Sequence, residues 1–174
     1  GKALGVVGLG RIGKDVAKKA MGLGMNVIAY DPYVIKEHVE NIHVQVVDLE
    51  AVIKEADFIT FHVPVTKSTY HMINKERINM MKDGVIIINC ARGGIIDETA
   101  LYEGLVSGKI AACALDVFEH EPPLDSPLID LPNVIATPHL GASTAEAQIC
   151  VAVDVAKDII RALKGEMVKN PVNM

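Results

Sequence analysis

Residues 3–31, ALGVVGLGRIGKDVAKKAMGLGMNVIAYD, decide the fold. Ala3–Gly8 is a short apolar run, Arg11–Leu23 reads as a helix, and Asn26–Asp31 is a second apolar run closing on an acid. The turn between the first two, Gly8-Leu9-Gly10-Arg11-Ile12-Gly13, has the spacing G-x-G-x-x-G. Each glycine has a mechanical task. Gly8 permits the tight turn, Gly10 lets the backbone approach a pyrophosphate, and Gly13 lets the helix pack closely on the strand. The helix N-terminus then offers N–H groups and partial positive charge to the phosphates. Asp31 lies 18 residues beyond Gly13, where a carboxylate accepts hydrogen bonds from a ribose 2′-hydroxyl. Strand, helix and acid together predict a dinucleotide site that prefers NAD to NADP. A 2′-phosphate would face the Asp31 carboxylate, and no Arg or Lys follows it before Lys36.

Working outward, Pro32 starts a turn and Val44–Val47 reads as a third, short strand. Asp48 caps a helix through Ala56, Asn74 one through Met81, and Asp97 one to about Ser107. Asp57–His62, Gly84–Asn89, Ile110–Val117 and Asn133–Thr137 read as further strands, and Val85–Ile88 is too apolar for an exposed one. Ser143-Thr144-Ala145-Glu146 has the form of a capping box and opens a long helix to about Lys164. No repeat, low-complexity segment or internal linker interrupts the pattern. Strands alternating with helices predict an α/β, doubly wound parallel sheet of the Rossmann type, with helices on both faces.

Bulk properties agree with one such domain. A chain of 174 residues buries around 70% of its unfolded surface. Half of it is hydrophobic and 4% aromatic, without Trp, as suits a core of Val, Ile, Leu and Ala. The balance of 17 basic and 22 acidic residues, −5 overall with no long run of either sign, argues against a nucleic-acid partner. No apolar stretch approaches the ~20 residues that span a bilayer, and no signal-peptide pattern opens the chain. Cys90, Cys113 and Cys150 are scattered, without C-x-x-C, and read as small buried hydrophobes of a cytoplasmic protein. The six His residues show no metal spacing, so no metal is expected.

In a parallel sheet the strand C-termini share one edge, and ligands bind there at the topological switch point. That rule gathers Gly8–Gly13, Asp31, His62-Val63-Pro64, Cys90-Ala91-Arg92, Asp116, Glu121 and His139. Among them His139 suits acid–base work, since an imidazole titrates near neutral pH. A carboxylate beside it favours the imidazolium. Arg92 offers planar donors to a carboxylate and a polarised carbonyl. Such a set suffices for hydride and proton transfer on a 2-hydroxy acid. Glu119 competes with Glu121 for the carboxylate role, Asp97 is better explained as a cap, His120 as a surface residue and His62 as structural.

The motifs GLGRIG (8–13), YD (30–31), HVP (62–64), NCARGGIIDE (89–98), ALDVFEHEPP (114–123) and PHLGASTAEAQ (138–148) resemble those of the D-2-hydroxyacid dehydrogenases, in family order. NCARGG and HLGASTAEAQ stand nearer to the family's phosphoglycerate branch than to its glyoxylate or lactate branches. The resemblance implies Arg92, Glu121 and His139 as the catalytic residues and chooses Glu121 over Glu119. It implies NAD contacts from Gly8, Gly10, Arg11, Ile12, Gly13, Asp31, Val63, Pro64, Cys90, Ala91, Arg92, Asp116, His139, Leu140, Gly141 and Ala142. It also implies that residues 1–174 are the cofactor-binding domain, that the substrate domain and a dimerising helix lie elsewhere, and that the parent protein is a homo-oligomer. Two other readings keep the glycine turn but change the function: an NAD-sensing corepressor-like interaction protein, and a methyltransferase.

Overall fold

The computed structural model describes residues 1–34, 44–169 and 171. Lys36, which entered the cofactor argument, lies outside the described residues. Two compact units make up the chain, Gly1–Pro138 and His139–Met174.

The first unit is a parallel sheet. Its strands are β1 (Ala3–Val7), β2 (Asn26–Tyr30), β3 (Gln45–Val46), β4 (Phe58–Phe61), β5 (Val85–Asn89), β6 (Ile110–Leu115) and β7 (Val134–Ala136). They are ordered β3-β2-β1-β4-β5-β6-β7, every neighbouring pair parallel. The order reverses between β1 and β4, so the switch point falls where the glycine turn leaves β1. The helices are α1 (Arg11–Gly22), α2 (Leu49–Glu55), α3 (Lys75–Met80) and α4 (Glu98–Val106). Strand bounds shrink by a residue or two from the sequence expectation, while the caps hold. Asp48 accepts from Ala51 N, Asn74 from Arg77 N, and Asp97 from Thr99 and Ala100 N.

Alternation along β1 explains the two layers of helices. Leu4 and Val6 face Ala17 and Ala20 of α1, with Val27 and Ala29 of β2. Val7 faces the other way into the larger core, where Val52 and Ile53 of α2, Ile78 of α3 and Leu101 and Leu105 of α4 meet Ile59, Phe61, Val85 and Ile87. Gly5 also turns to this side, and a Cβ there would lie 2.6 Å from a Val52 methyl. Helices therefore cover both faces.

As expected, β5 is not an exposed strand, but its two faces are buried unequally. Val85, Ile87 and Asn89 are buried, but Ile86 and Ile88 are only partly so. Register places Ile86 between Phe58 and Ala112, and Ile88 between Thr60 and Ala114, on the α1 side of the sheet. Helix α1 itself packs on β1 and β2.

In the second unit, α5 (Ala145–Leu163) has no buried residue. Its cap stands one residue later than the capping box expected. Ser143 N is engaged in a turn with Leu140 O at 2.9 Å, whereas Thr144 is extended and its hydroxyl accepts from Ala147 N at 3.1 Å. Position N3 is therefore Ala147, and Glu146 does not close the box.

Core position decides the cost of truncation. Ile59 is fully buried and Ile135 is 69% exposed. In urea denaturation, Ile59→Ala will lower stability by about 2–5 kcal/mol. Ile135→Ala will change it by less than about 0.5 kcal/mol.

Candidate cofactor and catalytic site

The glycine turn is held by close backbone approaches that no side chain permits. Gly8 has φ +98°, and a Cβ there would lie 2.6 Å from the His62 carbonyl oxygen; one on Gly13 would lie 2.0 Å from Gly8 O. Gly10 differs, since its Cβ would meet nothing within 4 Å. The open space lies beside the N-cap of α1, where Gly10 brings no side-chain cap and the first turn has no acid. That end presents main-chain N–H groups and a positive field, with no acid in its own first turn, flanked by exposed Arg11 and Ile12.

Asp31 braces the same turn. One carboxylate oxygen accepts from Leu9 N at 2.8 Å and the other from Tyr33 N at 2.8 Å. Each keeps a second lone pair for a ribose hydroxyl. The glycine cradle and this acid fit the diphosphate and ribose of a dinucleotide.

Along the same edge, Val63 is half-buried and Pro64 exposed. Buried Asn89 ends β5 and shapes the following loop: its amide donates to Arg92 O at 2.9 Å and its oxygen accepts from Ala91 N at 3.1 Å. Cys90 and Arg92 are exposed, and Arg92 Nη1 donates to Ala91 O at 2.6 Å. Asp116, buried after β6, accepts from Thr137 Oγ1 at 2.6 Å. Glu121 is exposed, and its carboxylate accepts from Phe118 N at 3.1 Å.

The structure brings the Arg92 and Glu121 loops into contact. A Cβ on Gly93 would lie 1.9 Å from Phe118 O and 2.8 Å from Glu119 N. Glu119 N donates to Glu98 Oε1 at 2.7 Å, and Glu98 N donates back to Glu119 Oε1 at 3.3 Å. His71 Nε2 meets that same Glu119 oxygen at 2.9 Å, with its ring stacked on Tyr70. Glu119, read as a rival to Glu121, is thus committed to its neighbours. A cleft of about 510 Å³ beside it is lined by His71, Asp97, Glu98, His120 and Pro122, residues outside the expected cofactor set.

Sequence reasoning missed Asn89, Thr137 and His71 as site supports. Asn89 carries a usable sign, a polar residue ending an otherwise apolar strand. His71 carries none, because its partner is 48 residues away. His139, with φ +54°, begins the second unit, followed by exposed Leu140, Gly141 and Ala142.

Burial shapes the titrating groups. Burial holds His62 below the usual imidazole range; its Nε2 lies 3.2 Å from Thr60 Oγ1. Burial, then the charge of Glu119, raises Glu98, against the Glu119 N–H and the two nearby histidines. Burial pushes Cys113 up to about 12, and burial with the Asp116 charge raises Cys90. The cysteines are not uniformly buried as expected: Cys113 is, whereas Cys90 and Cys150 are exposed. Among the described residues no cluster of three His, Cys, Asp or Glu is placed to hold a metal. No described helix is long and apolar enough to cross a membrane.

The family described as D-isomer specific 2-hydroxyacid dehydrogenase, NAD binding domain, matches residues 1–141. The chain belongs to this family. Its cofactor is NAD. The chain is 58% identical over 175 residues to the D-3-phosphoglycerate dehydrogenase of Methanocaldococcus jannaschii, covering all of this chain and 33% of that protein. It is 55% identical over 166 residues to a hydroxypyruvate reductase of Thermotoga maritima, covering 94% of this chain and 53% of that protein. Among solved structures, D-lactate dehydrogenase with NAD+ from Lactobacillus jensenii superposes with a TM-score of 0.90 at 36% identity, covering 99% of this chain and 56% of that one. The chain thus spans a third to about half of the length of these relatives.

His62 gives the fold a pH dependence of known sign. Its folded pKa lies below the unfolded value of about 6.5. Stability is therefore complete above that value and falls as pH drops, because the unfolded chain takes up the proton first. Thermal melts between pH 7 and 5 will show a smaller acid-side fall in Tm for His62→Gln than for wild type.

Proposed function

We propose that the chain is the NAD-binding part of an enzyme that oxidises a D-2-hydroxy acid to the 2-oxo acid, with D-3-phosphoglycerate as substrate. The observation that carries the reading is the contact of the Arg92 and Glu121 loops at the sheet edge that also holds the glycine turn. The name of the M. jannaschii relative supports the substrate. The name of the T. maritima relative favours a second reading, reduction of hydroxypyruvate by the same residues.

Gly8, Gly10, Gly13 and the N-terminus of α1 hold the diphosphate, and Asp31 the adenosine ribose. Val63, Pro64, Cys90, Ala91, Asp116 and the segment Leu140–Ala142 complete the cofactor contacts, together with Arg11, Ile12, Arg92 and His139. NAD+ bound there supplies the hydride acceptor for the hydrogen on substrate C2. His139 takes the hydroxyl proton as the C2–O bond becomes a carbonyl, and returns it in reduction. Arg92 pairs with the substrate carboxylate and polarises the carbonyl oxygen. Glu121 supplies the carboxylate that such chemistry pairs with an imidazolium.

On this reading part of the substrate grip lies outside residues 1–174, and these residues alone are expected to bind NAD and turn over slowly or not at all. A homo-oligomeric gene product in the cytoplasm belongs to the same reading; the three unpaired thiols suit a reducing compartment.

The test is a spectrophotometric screen of the complete gene product against 2-hydroxy acids with NAD+, and against 2-oxo acids with NADH. Turnover of D-3-phosphoglycerate that falls on the order of 10²–10⁴-fold in His139→Ala is expected. An inactive wild type, or an unaffected variant, refutes the reading. Cofactor choice has its own check. Asp31→Asn, which keeps one oxygen acceptor but loses the charge, will lower the NAD-over-NADP affinity ratio about tenfold, or about 1.4 kcal/mol, in binding titrations.

A further inference from the structure

Two loops bear the proposed catalytic side chains Arg92 and Glu121. The Arg92 loop follows β5 and the Glu121 loop follows β6. Asn89 fixes the start of the first through the Ala91 N–H and the Arg92 carbonyl. Beyond Gly93 that segment runs beside residues 71–73: His71 N donates to Gly94 O at 2.7 Å, Ile73 N to Ile95 O at 3.1 Å, and Asp97 N to Ile73 O at 2.9 Å. Residues 71–73 thus form a strut along the first loop.

The second loop is tied to the same strut through one side chain. Glu119 Oε1 takes the His71 ring at 2.9 Å and the Glu98 N–H at 3.3 Å. Its own N–H is held by Glu98 Oε1 at 2.7 Å. Glu98 opens α4, anchored through buried Ala100, Leu101 and Leu105. Glu119 stands two residues before Glu121, and its backbone touches Gly93, next to Arg92.

We propose that Glu119, with Glu98 and His71, is a positioning residue that sets where the Arg92 and Glu121 loops stand relative to each other. The inference rests on the proposed catalytic roles of Arg92 and Glu121. Glu119 does not touch the reacting atoms in this account. It fixes the geometry of residues that do, and misplacement of about 1 Å at such a site costs on the order of 10²-fold in rate. One acceptor oxygen makes both side-chain contacts of Glu119. Gln keeps that oxygen and Ala removes it, so the two variants separate positioning from mere bulk.

The experiment compares wild type, E119A and E119Q in the complete gene product that contains these residues. It measures kcat and KM for D-3-phosphoglycerate, NADH affinity by fluorescence titration, and amide hydrogen exchange at residues 92–94 and 118–121. E119A is expected to lose about 100-fold in kcat. Its NADH affinity is expected to stay within about twofold, as for an interaction made in the chemical step rather than in cofactor binding. Exchange at the two loops will quicken while β1 and β4 keep wild-type protection. E119Q is expected within about threefold of wild-type kcat.

E119A with kcat within about threefold of wild type, or equal losses in kcat and NADH affinity, overturns the proposal. Should E119A fail to fold, H71A, which removes only the ring from Glu119, is measured instead. A loss of about tenfold in kcat supports the proposal there, and wild-type kcat overturns it. A wild type inactive on every 2-hydroxy and 2-oxo acid fails the proposed function and takes this role with it. An active wild type beside a fully active E119A removes the positioning role alone.

Discussion

The approach of Gly13 to the Gly8 carbonyl sets how closely α1 sits on β1, and much else follows from that distance. A Cβ at residue 13 would come within 2.0 Å of that oxygen, so only hydrogen fits between helix and turn. With the helix seated, Ala17 and Ala20 reach Leu4 and Val6. Its N-terminus then opens onto the space beside Gly10. The small side chains of α1 and the glycines of the turn answer one demand, close apposition of backbone to backbone. The second layer has its own close approaches, Gly5 against Val52 and Gly104 against Ile110, but otherwise fills its core with larger residues, Ile53, Ile59, Ile87 and Leu101 among them.

Parallel topology converts that local fit into a site. Each strand ends at the same edge, and the residue closing it is polar or opens a loop that carries polar groups. Asn89 and Asp116 are buried there, yet neither is left unsatisfied. Asn89 spends its amide on the Arg92 loop, and Asp116 accepts from Thr137. Buried polar groups at this rim act as fasteners for the connections that follow them, at a site where an unpaired group would cost about 1–3 kcal/mol.

What the sequence made legible was local. The glycine turn, the acid after β2 and the caps at Asp48, Asn74 and Asp97 are each written within a few residues, and the structure has them in place. The cap of α5 slipped by one residue because Ser143 and Thr144 are chemically alike, and only the Leu140 turn decides between them. The lesser burial of Ile86 and Ile88 was not legible, because four apolar residues in a row give no alternation to read, although the pleat still sends alternate ones to opposite faces. The tie between His71, Glu98 and Glu119 was invisible, since it spans 48 and 21 residues and uses residue types that look like ordinary surface. The proposed catalytic residues came into view through resemblance of motifs, with the edge rule offering a reason why such distant loops could share one site.

Asp31 holds the main chain at both Leu9 and Tyr33 and is also the proposed partner of the ribose. Retargeting the domain to a phosphorylated cofactor is therefore a two-part exchange. The negative charge has to go, and a neutral acceptor must take over the Leu9 N–H at the same moment. A cation introduced without that substitute would gain an electrostatic partner for the incoming phosphate while loosening the turn meant to receive it.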